Sequence, residues 1–250
     1  MNKIAYILIA FIFFACNSEN GSDCFKKEGG IVQREVDLGL FTKITVYPRV
    51  QLFIEKGDIQ KVIVESGENL IDDVEVRVDG SLLSLVDNNT CNFIRDYDIT
   101  KVYVTSPNIT QIRNSSGLEV TSIGILVYPE LELLSENFEN EDVYHNDGNF
   151  NLALNVEEIR LTSNGFSSFR LSGHANKAFF NTYAGNTNIL TENLIVNEVN
   201  VFHRSTGKMV VRPIESIRGK IMGIGNVIAK NRPAIIDVEE LYRGELIFED

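Results

Sequence analysis

The sequence repeats a short unit that begins with glycine: GFSSFRL at 165–171, GNTNIL at 185–190, GKMVV at 207–211, GNVIA at 225–229 and GELIF at 244–248. Successive glycines lie 20, 22, 18 and 19 residues apart. Apolar residues fall mainly at even positions after each glycine, and even spacing places side chains on one face of a strand. The repeat therefore predicts short strands that stack on one another to bury a continuous apolar row.

The five glycines of this repeat are candidate structural turn residues: Gly165, Gly185, Gly207, Gly225 and Gly244. A glycine ahead of each strand indicates a corner where φ is positive or where two backbones pass closely. We therefore expect an all-β fold, a β-solenoid with segments of about 20 residues. A β-sandwich with regularly spaced glycine turns is the alternative.

The N-terminus has the pattern of a signal peptide. Lys3 precedes an unbroken apolar run from Ile4 to Phe14, which is too short to span a bilayer as a helix. The tetrad FFAC at 13–16 resembles the lipobox of bacterial lipoproteins, and this resemblance implies lipid attachment at Cys16. Several acyl chains together give a stable membrane anchor. An ordinary secretory peptide with a chance cysteine is the alternative.

The residues after Cys16 indicate where the anchored chain is sorted. Asn17 to Asp23 is a polar, glycine-containing stretch typical of a tether. No aspartate directly follows Cys16, which favours the outer membrane in a double-membrane cell. The formal net charge of −12 makes nucleic acid and bare anionic lipid poor partners.

Two further cysteines, Cys24 and Cys91, remain in the exported chain. Because the extracytoplasmic compartment is oxidising, we expect them to form one disulfide. Two separately buried thiols are the alternative. Neither cysteine has a CxxC partner or a nearby histidine, so we expect no metal at these residues.

The sequence divides into three parts. We predict a lipoprotein signal peptide at 1–15, a polar tether at 16–30 and one β-solenoid domain at 31–250. Within that domain we expect an N-terminal cap with the first coils at 31–100 and the repeat coils at 101–250. The cap would shield the first exposed strand edges.

Several stretches resemble one bacterial family. They are LGLFTKITV at 38–46, VIVESGENL at 62–70, DGSL at 79–82 and GIGNV at 223–227, with Arg232-Pro233 just after. Their order is similar to that of the head GIN domain family, a set of bacterial envelope proteins described as autotransporter-adhesin heads. The resemblance covers roughly residues 41–248 and implies a right-handed β-helix. Its motifs are structural turns and strands rather than reacting groups.

The acidic segment from Glu136 to Asp147 interrupts the repeat and is a candidate cation-binding loop. Asp147, Asn149, Asn151 and Glu158 match positions 1, 3, 5 and 12 of a calcium loop, but Leu152 occupies the position that requires glycine. Strand alternation explains the same residues more simply. It predicts that Phe150, Leu152 and Leu154 point inward and that the asparagines point outward.

Other candidate groups carry little chemistry in the sequence. We interpret His145, His174 and His203 as surface or turn residues. We place most of a set of six aromatic residues in the interior, although they suit a sugar-stacking platform on an outer face. The six are Phe166, Phe169, Phe179, Phe180, Tyr183 and Phe202. Paired carboxylates, namely Asp72 with Asp73, Glu157 with Glu158 and Glu239 with Glu240, are expected on a solvated face.

These observations favour a cell-envelope lipoprotein that acts as a non-catalytic, adhesin-like binding module through an extended face of Asn, Ser, Thr and acidic ladders. The expected partners are the membrane, through the lipid anchor, and a glycan or an envelope protein. No catalytic residue, metal site or cofactor is predicted. A carbohydrate-active β-helix enzyme and a structural or signalling envelope component are the alternatives. A concave charged groove would favour the enzyme, and a flat polar-aromatic face would favour binding.

Overall fold

The structure is a computed structural model and describes residues 26–89 and 99–249. Its strands are β1 (Ile31–Val36), β2 (Lys43–Val46), β3 (Val50–Lys56), β4 (Lys61–Gly67), β5 (Val74–Asp79), β6 (Leu82–Asp87), β7 (Thr100–Ser106), β8 (Gln111–Asn114), β9 (Glu119–Ser135), β10 (Asn149–Ser163), β11 (Ser168–Thr182), β12 (Asn188–His203), β13 (Met209–Ile221), β14 (Val227–Ala229), β15 (Ile235–Glu240) and β16 (Leu246–Phe248). A single turn of 3-10 helix at Ile71–Asp73 is the only helical element in these ranges. Within them, no helix is long and apolar enough to cross a bilayer.

The strands form one large, mostly parallel sheet that does not close on itself. Within this sheet the strands form two rows of hydrogen-bonded neighbours, and each of the long strands β9 to β13 belongs to both rows. Their first halves continue the row β1-β4-β7-β3 and lead to β14 and β16. Their second halves continue the row β5-β6-β2-β8 and lead to β15. The only antiparallel pairs among the described strands are β1–β4, β4–β7 and β5–β6, all in the N-terminal part.

The core is a set of stacked apolar columns. In the first row, Phe150, Phe169, Ile189, Met209 and Val227 are consecutive partners and all have 0% exposure. In the second row the corresponding column consists of Ile44, Ile112, Leu133, Leu161, Phe180 and Val201. The even positions after each repeat glycine therefore point inward, as the sequence predicted.

The repeat glycines lie in the turns that precede β11, β12, β13, β14 and β16. At four of them φ is outside the left-handed region, and only Gly185 has a positive φ, of 74°. A Cβ at Gly207 would overlap the carbonyl oxygen of Thr187, and one at Gly225 would overlap that of Gly207. Close approach of successive backbones therefore explains most of these glycines.

Residues 26–30 already contact the sheet before β1 begins. The carbonyl of Gly30 accepts a hydrogen bond from the N–H of Glu68 at 2.8 Å, and that of Glu28 accepts one from Asn69 at 3.1 Å. The lysine Nζ of Lys26 lies 3.0 Å from a carboxylate oxygen of Asp73. Cys16, Cys24 and Cys91 lie outside the described residues.

Candidate functional site

A groove crosses the outer face of the second row of strands. Its floor is a column of partners from four strands: Lys43 on β2, Gln111 on β8, Glu132 on β9 and Arg160 on β10. Two adjoining concavities of about 240 and 640 Å³ share Lys43, Gln111 and Glu132. Neighbouring strands lie about 4.8 Å apart, so the column from Lys43 to Phe179 on β11 spans roughly 19 Å. This groove is the candidate functional site.

One wall of the groove is the segment between β9 and β10, which is the predicted acidic insertion. It is anchored by a buried ion pair. Arg113 Nη1 lies 2.6 Å from Glu136 Oε1 and donates to the Glu136 carbonyl at 2.8 Å. The two side chains are only 7% and 6% exposed. The Arg113 guanidinium also lies over the ring of Tyr144, 4.2 Å from its centroid.

Burial perturbs one phenol beside this anchor. Tyr144 stacks on Tyr47, with ring centroids 6.3 Å apart. The pKa of Tyr47 is raised, first because burial penalises the phenolate and then because of the neighbouring Tyr144. The two rings add packing contacts to the Arg113–Glu136 pair. Together these contacts hold the insertion over the larger concavity.

Three aromatic side chains form a cluster at the end of the groove. Phe138, from the insertion, meets Tyr183 edge to face at 5.4 Å, and Tyr183 lies 5.0 Å from Phe202. Phe138 is 58% exposed and lines the larger concavity. The Arg160 guanidinium lies 4.2 Å from the centroid of the Phe179 ring on the floor. The groove therefore presents apolar ring surface next to charged and amide groups.

The prediction that most of the six aromatic residues are interior was wrong. Phe169 and Phe180 are fully buried, but Phe166, Phe179, Tyr183 and Phe202 lie on the outer surface. The physical reason is the pleat: Phe180 points inward, so its neighbour Phe179 must point outward. Phe202 lies outward because Val201 and His203 are both inward.

The interpretation of His203 as a surface or turn residue was also wrong, whereas His145 and His174 are exposed. His203 has 0% exposure. Its Nδ1 accepts a hydrogen bond from the hydroxyl of Thr182 at 2.8 Å, and its Nε2 donates to the carbonyl of Gly207 at 3.0 Å. Burial lowers the pKa of the imidazole, and the hydrogen bond to Gly207 partly opposes this.

Many of the serine and threonine side chains predicted for outer ladders are buried where the long strands end and in the turns that follow. Buried residues at these places include Ser135, Ser163, Ser167, Thr182, Thr187 and Ser205. They hydrogen-bond to one another, to turn carbonyls or, for Thr182, to His203; Thr187, for example, donates to the Gly165 carbonyl at 3.2 Å. The outward asparagines also serve the backbone, since Asn149 accepts the N–H of Ser168 on β11 and Asn188 accepts the N–H of Lys208 just before β13. These ladders are therefore structural rather than free for a ligand.

Three carboxylates of the groove, those of Glu132, Glu136 and Glu158, have partners. Glu132 accepts a hydrogen bond from Gln111 at 2.6 Å, and Glu158 lies 2.6 Å from Arg160. In the described ranges, no group of three or more His, Cys, Asp or Glu side chains is placed to hold a metal ion. Asn149 and Asn151 of the candidate calcium loop belong to the extended strand β10, where Phe150, Leu152 and Leu154 point inward as alternation predicted.

Three of the paired carboxylates elsewhere form ion pairs. Asp72 pairs with Arg34, and Asp73 with Lys26. Glu239 pairs with Lys220 at 3.2 Å. Glu157 is exposed. These residues lie on a solvated face, as expected.

The fold and the groove define the class of this molecule: an all-β protein with a large, mostly parallel sheet that carries a polar-aromatic groove on its outer face. The sequence matches the family model described as "Putative auto-transporter adhesin, head GIN domain" over residues 40–233. The chain belongs to this family, which confirms the resemblance found in the sequence.

Solved structures share the fold. An adhesin from Bacteroides fragilis NCTC 9343, described as putative, matches with a TM-score of 0.78 and 19% identity, covering 89% of this chain and 99% of that one. A "putative lipid binding protein" from Parabacteroides distasonis ATCC 8503 matches with a TM-score of 0.62 and 16% identity, covering 88% and 97%. A "putative adhesin" from Parabacteroides merdae ATCC 43184 gives 0.61 and 16%, covering 90% and 98%. No curated protein matches the sequence.

Proposed function

We propose that this chain is a cell-envelope lipoprotein that acts as a non-catalytic, adhesin-like binding module through the groove on its extended β face. The groove is concave and charged, which by itself favours the carbohydrate-active enzyme, but its carboxylates Glu132, Glu136 and Glu158 already have partners. This pairing, next to the exposed aromatic rings, is the observation that carries the proposal. Binding sites typically pair apolar surface with a few fixed polar groups. An acid/base pair instead needs two carboxylates free to act on opposite sides of one bond.

The comparisons support binding rather than catalysis. The family description names an adhesin, and the similar structures are described as adhesins or as a lipid-binding protein. Glu132, Glu136 and Glu158 are each held by a partner within the groove. These contacts favour a surface that recognises an extended ligand over one that cleaves it.

We infer that the sheet is wound as a right-handed β-helix with coils of about 20 residues. Partners on successive long strands are 19 residues apart from β10 to β11 and 20 or 21 apart from β11 to β12. In β13, Met209–Val211 pair with β14 in the first row and Ser216–Ile221 pair with β15 in the second. One strand thus supplies both rows, as a helical winding requires.

We propose that lipid attachment at Cys16 anchors the chain to the outer membrane, after removal of residues 1–15 and with residues 16–30 as a tether to the 31–250 domain. Incorporation of labelled palmitate by the full chain, expressed in a bacterium that processes lipoproteins, tests the anchor. The Cys16→Ser variant is the matched control and should lose both the label and the membrane association. Equal labelling of both proteins would contradict the anchor.

We also propose a disulfide between Cys24 and Cys91. Residues close to each cysteine in the sequence contact Asp73: Lys26 Nζ lies 3.0 Å from its carboxylate, and the N–H of Asn88 donates to its carbonyl at 3.0 Å. Lys26 is two residues after Cys24, and Asn88 is three before Cys91. The chain on either side of the proposed bridge thus converges on one residue.

The binding function is tested by exposing the detergent-extracted full chain to a panel of immobilised polysaccharides and measuring retained protein and new reducing ends in the same wells. We expect retention without new reducing ends. Release of reducing ends would overturn the non-catalytic function in favour of a carbohydrate-active enzyme. If no protein is retained and no new reducing ends appear, the partner is a protein of the envelope rather than a polysaccharide.

A further inference from the structure

Hydrogen-bond donors and acceptors follow one another along the side chains of the groove floor. Lys43 and Arg160 only donate, Glu132 only accepts, and Gln111 does both. They belong to consecutive strands, so the four groups form a line with a repeat of about 4.8 Å. A ligand that matches this line must both donate and accept along its whole length. Hydroxyl groups do both, and a chain of sugars carries them at every unit.

The charge of the groove restricts the ligand further. The lining of the two concavities contains three cationic residues, Lys43, Arg113 and Arg160, and the five acidic residues Glu130, Glu132, Glu136, Glu139 and Glu158. A surplus of negative charge repels nucleic acid, acidic polysaccharides and phosphate headgroups. Since Glu132, Glu136 and Glu158 are already partnered, the groove is also poorly suited to capture a basic peptide.

The aromatic cluster supplies the remaining feature. Phe138 is the most exposed of its three rings, and Tyr183 holds it edge to face. The C–H face of a sugar ring packs on an aromatic ring, while the sugar hydroxyls remain free for the neighbouring polar groups. In this groove, the polar line and the rings are contributed by adjacent strands and by the anchored insertion.

From this arrangement we infer that the groove binds a segment of a neutral polysaccharide, with the column Lys43–Gln111–Glu132–Arg160 contacting hydroxyl groups and Phe138 stacking on one sugar ring. The inference rests on the proposed binding function and adds its ligand class and its contact residues. The Arg113–Glu136 pair positions Phe138, whose N–H donates to the Glu136 carboxylate at 2.7 Å.

The test uses the detergent-extracted full chain and surfaces coated with neutral polysaccharides (starch, mannan and xyloglucan) or anionic ones (alginate and polygalacturonate). Phe138→Ala and Gln111→Ala each remove one contact of the groove. Tyr242→Ala is the matched control, because Tyr242 is also an exposed ring, at 62%, and lies in the turn before β16, outside both concavities. Thermal unfolding of each variant checks that it folds.

We expect at least one neutral polysaccharide to be bound. Its affinity should change little between about 50 mM and about 500 mM salt, because an uncharged ligand forms no ion pairs with the groove that salt could screen. Phe138→Ala and Gln111→Ala should each weaken binding by about fivefold to tenfold, while Tyr242→Ala retains it. Stronger binding to the anionic surfaces, or a strong loss of binding at high salt, would overturn the neutral-ligand inference.

Different results would overturn the neutral-polysaccharide inference and the proposed binding function. If neutral polysaccharide is bound but Phe138→Ala and Gln111→Ala behave like Tyr242→Ala, the groove assignment is wrong and the binding function stands. If no polysaccharide is bound but a purified envelope protein is, the ligand class is wrong and the binding function again stands. New reducing ends in the wells would instead overturn the binding function itself.

Discussion

The imidazole Nδ1 of His203 lies 2.8 Å from the hydroxyl of Thr182, its partner on the adjacent strand, and both side chains are fully buried. The opposite ring nitrogen donates to the carbonyl of Gly207 in the following turn. A carbonyl can only accept, so Nε2 carries the proton and Nδ1 accepts from the hydroxyl. The neutral ring thus links two strands and the turn between β12 and β13.

Stability should therefore fall in mild acid because of His203. Burial sets its folded pKa below the unfolded value of about 6.5. As the pH falls through about 6.5, the unfolded chain takes up the proton first, so the free energy of unfolding decreases by up to about 1.4 kcal/mol per pH unit until the folded pKa is reached. Above about 6.5 this contribution is constant. Urea unfolding of the wild type between pH 7.5 and 5 measures the slope.

The variants His203→Gln and His174→Gln separate the His203 contribution to the pH dependence of stability from the contribution of carboxylates, which also take up protons as the pH falls. His203→Gln should be less stable at pH 7.5 but should lose the part of the slope that starts at about 6.5. His174 is exposed, so His174→Gln should keep the wild-type slope. An unchanged slope in His203→Gln would show that the buried imidazole does not control acid stability.

The inward position of His203 was available from the sequence, since Val199, Val201 and His203 alternate on one strand face. The same alternation separates Phe179 from Phe180. The repeat glycines and their even apolar positions likewise placed the interior columns of β11 to β14. By contrast, the groove depends on Lys43 pairing with Gln111, far along the chain, and on Arg113 reaching Glu136. Tertiary packing determines such contacts, and no local pattern encodes them.

Gly207 should not tolerate a methyl group. Its φ is outside the left-handed region, but a Cβ would overlap the carbonyl oxygen of Thr187. Gly207→Ala must therefore separate two stacked turns, and we expect a loss of about 1–3 kcal/mol in the free energy of unfolding. Gly39→Ala is the matched control because nothing lies within 4 Å of the added methyl. Equal midpoints of urea unfolding for the two variants would contradict the close-approach explanation.

The buried ion pair of the insertion should respond very differently from a surface pair. Arg113→Ala leaves the Glu136 carboxylate buried without its cation, and we expect a loss of about 3–5 kcal/mol. Arg77→Ala removes an exposed partner of Glu75 at 3.4 Å and should cost about 0–1 kcal/mol. Chemical denaturation of both variants makes the comparison.

The double variant Arg113→Ala/Glu136→Ala tests the origin of that loss. It should be more stable than Arg113→Ala alone, because the uncompensated charge is gone. Strictly additive losses would show that the two side chains act independently. Limited proteolysis should cut the 136–148 segment more readily in Arg113→Ala and in the double variant than in the wild type, since the insertion loses its anchor in each.

The proposed Cys24–Cys91 bridge gives a further prediction. The exported chain should carry no free thiol besides any at Cys16, and alkylation before and after reduction, followed by mass spectrometry, measures this. Cys24→Ser, Cys91→Ser and the double variant should have the same stability, about 4 kcal/mol below the wild type in the chain-entropy treatment of a loop this long. Equality is expected because each variant breaks the same cross-link. Unequal single variants, or a wild type that is alkylated without reduction, would instead indicate two separate thiols, although Lys26 and Asn88 both contact Asp73.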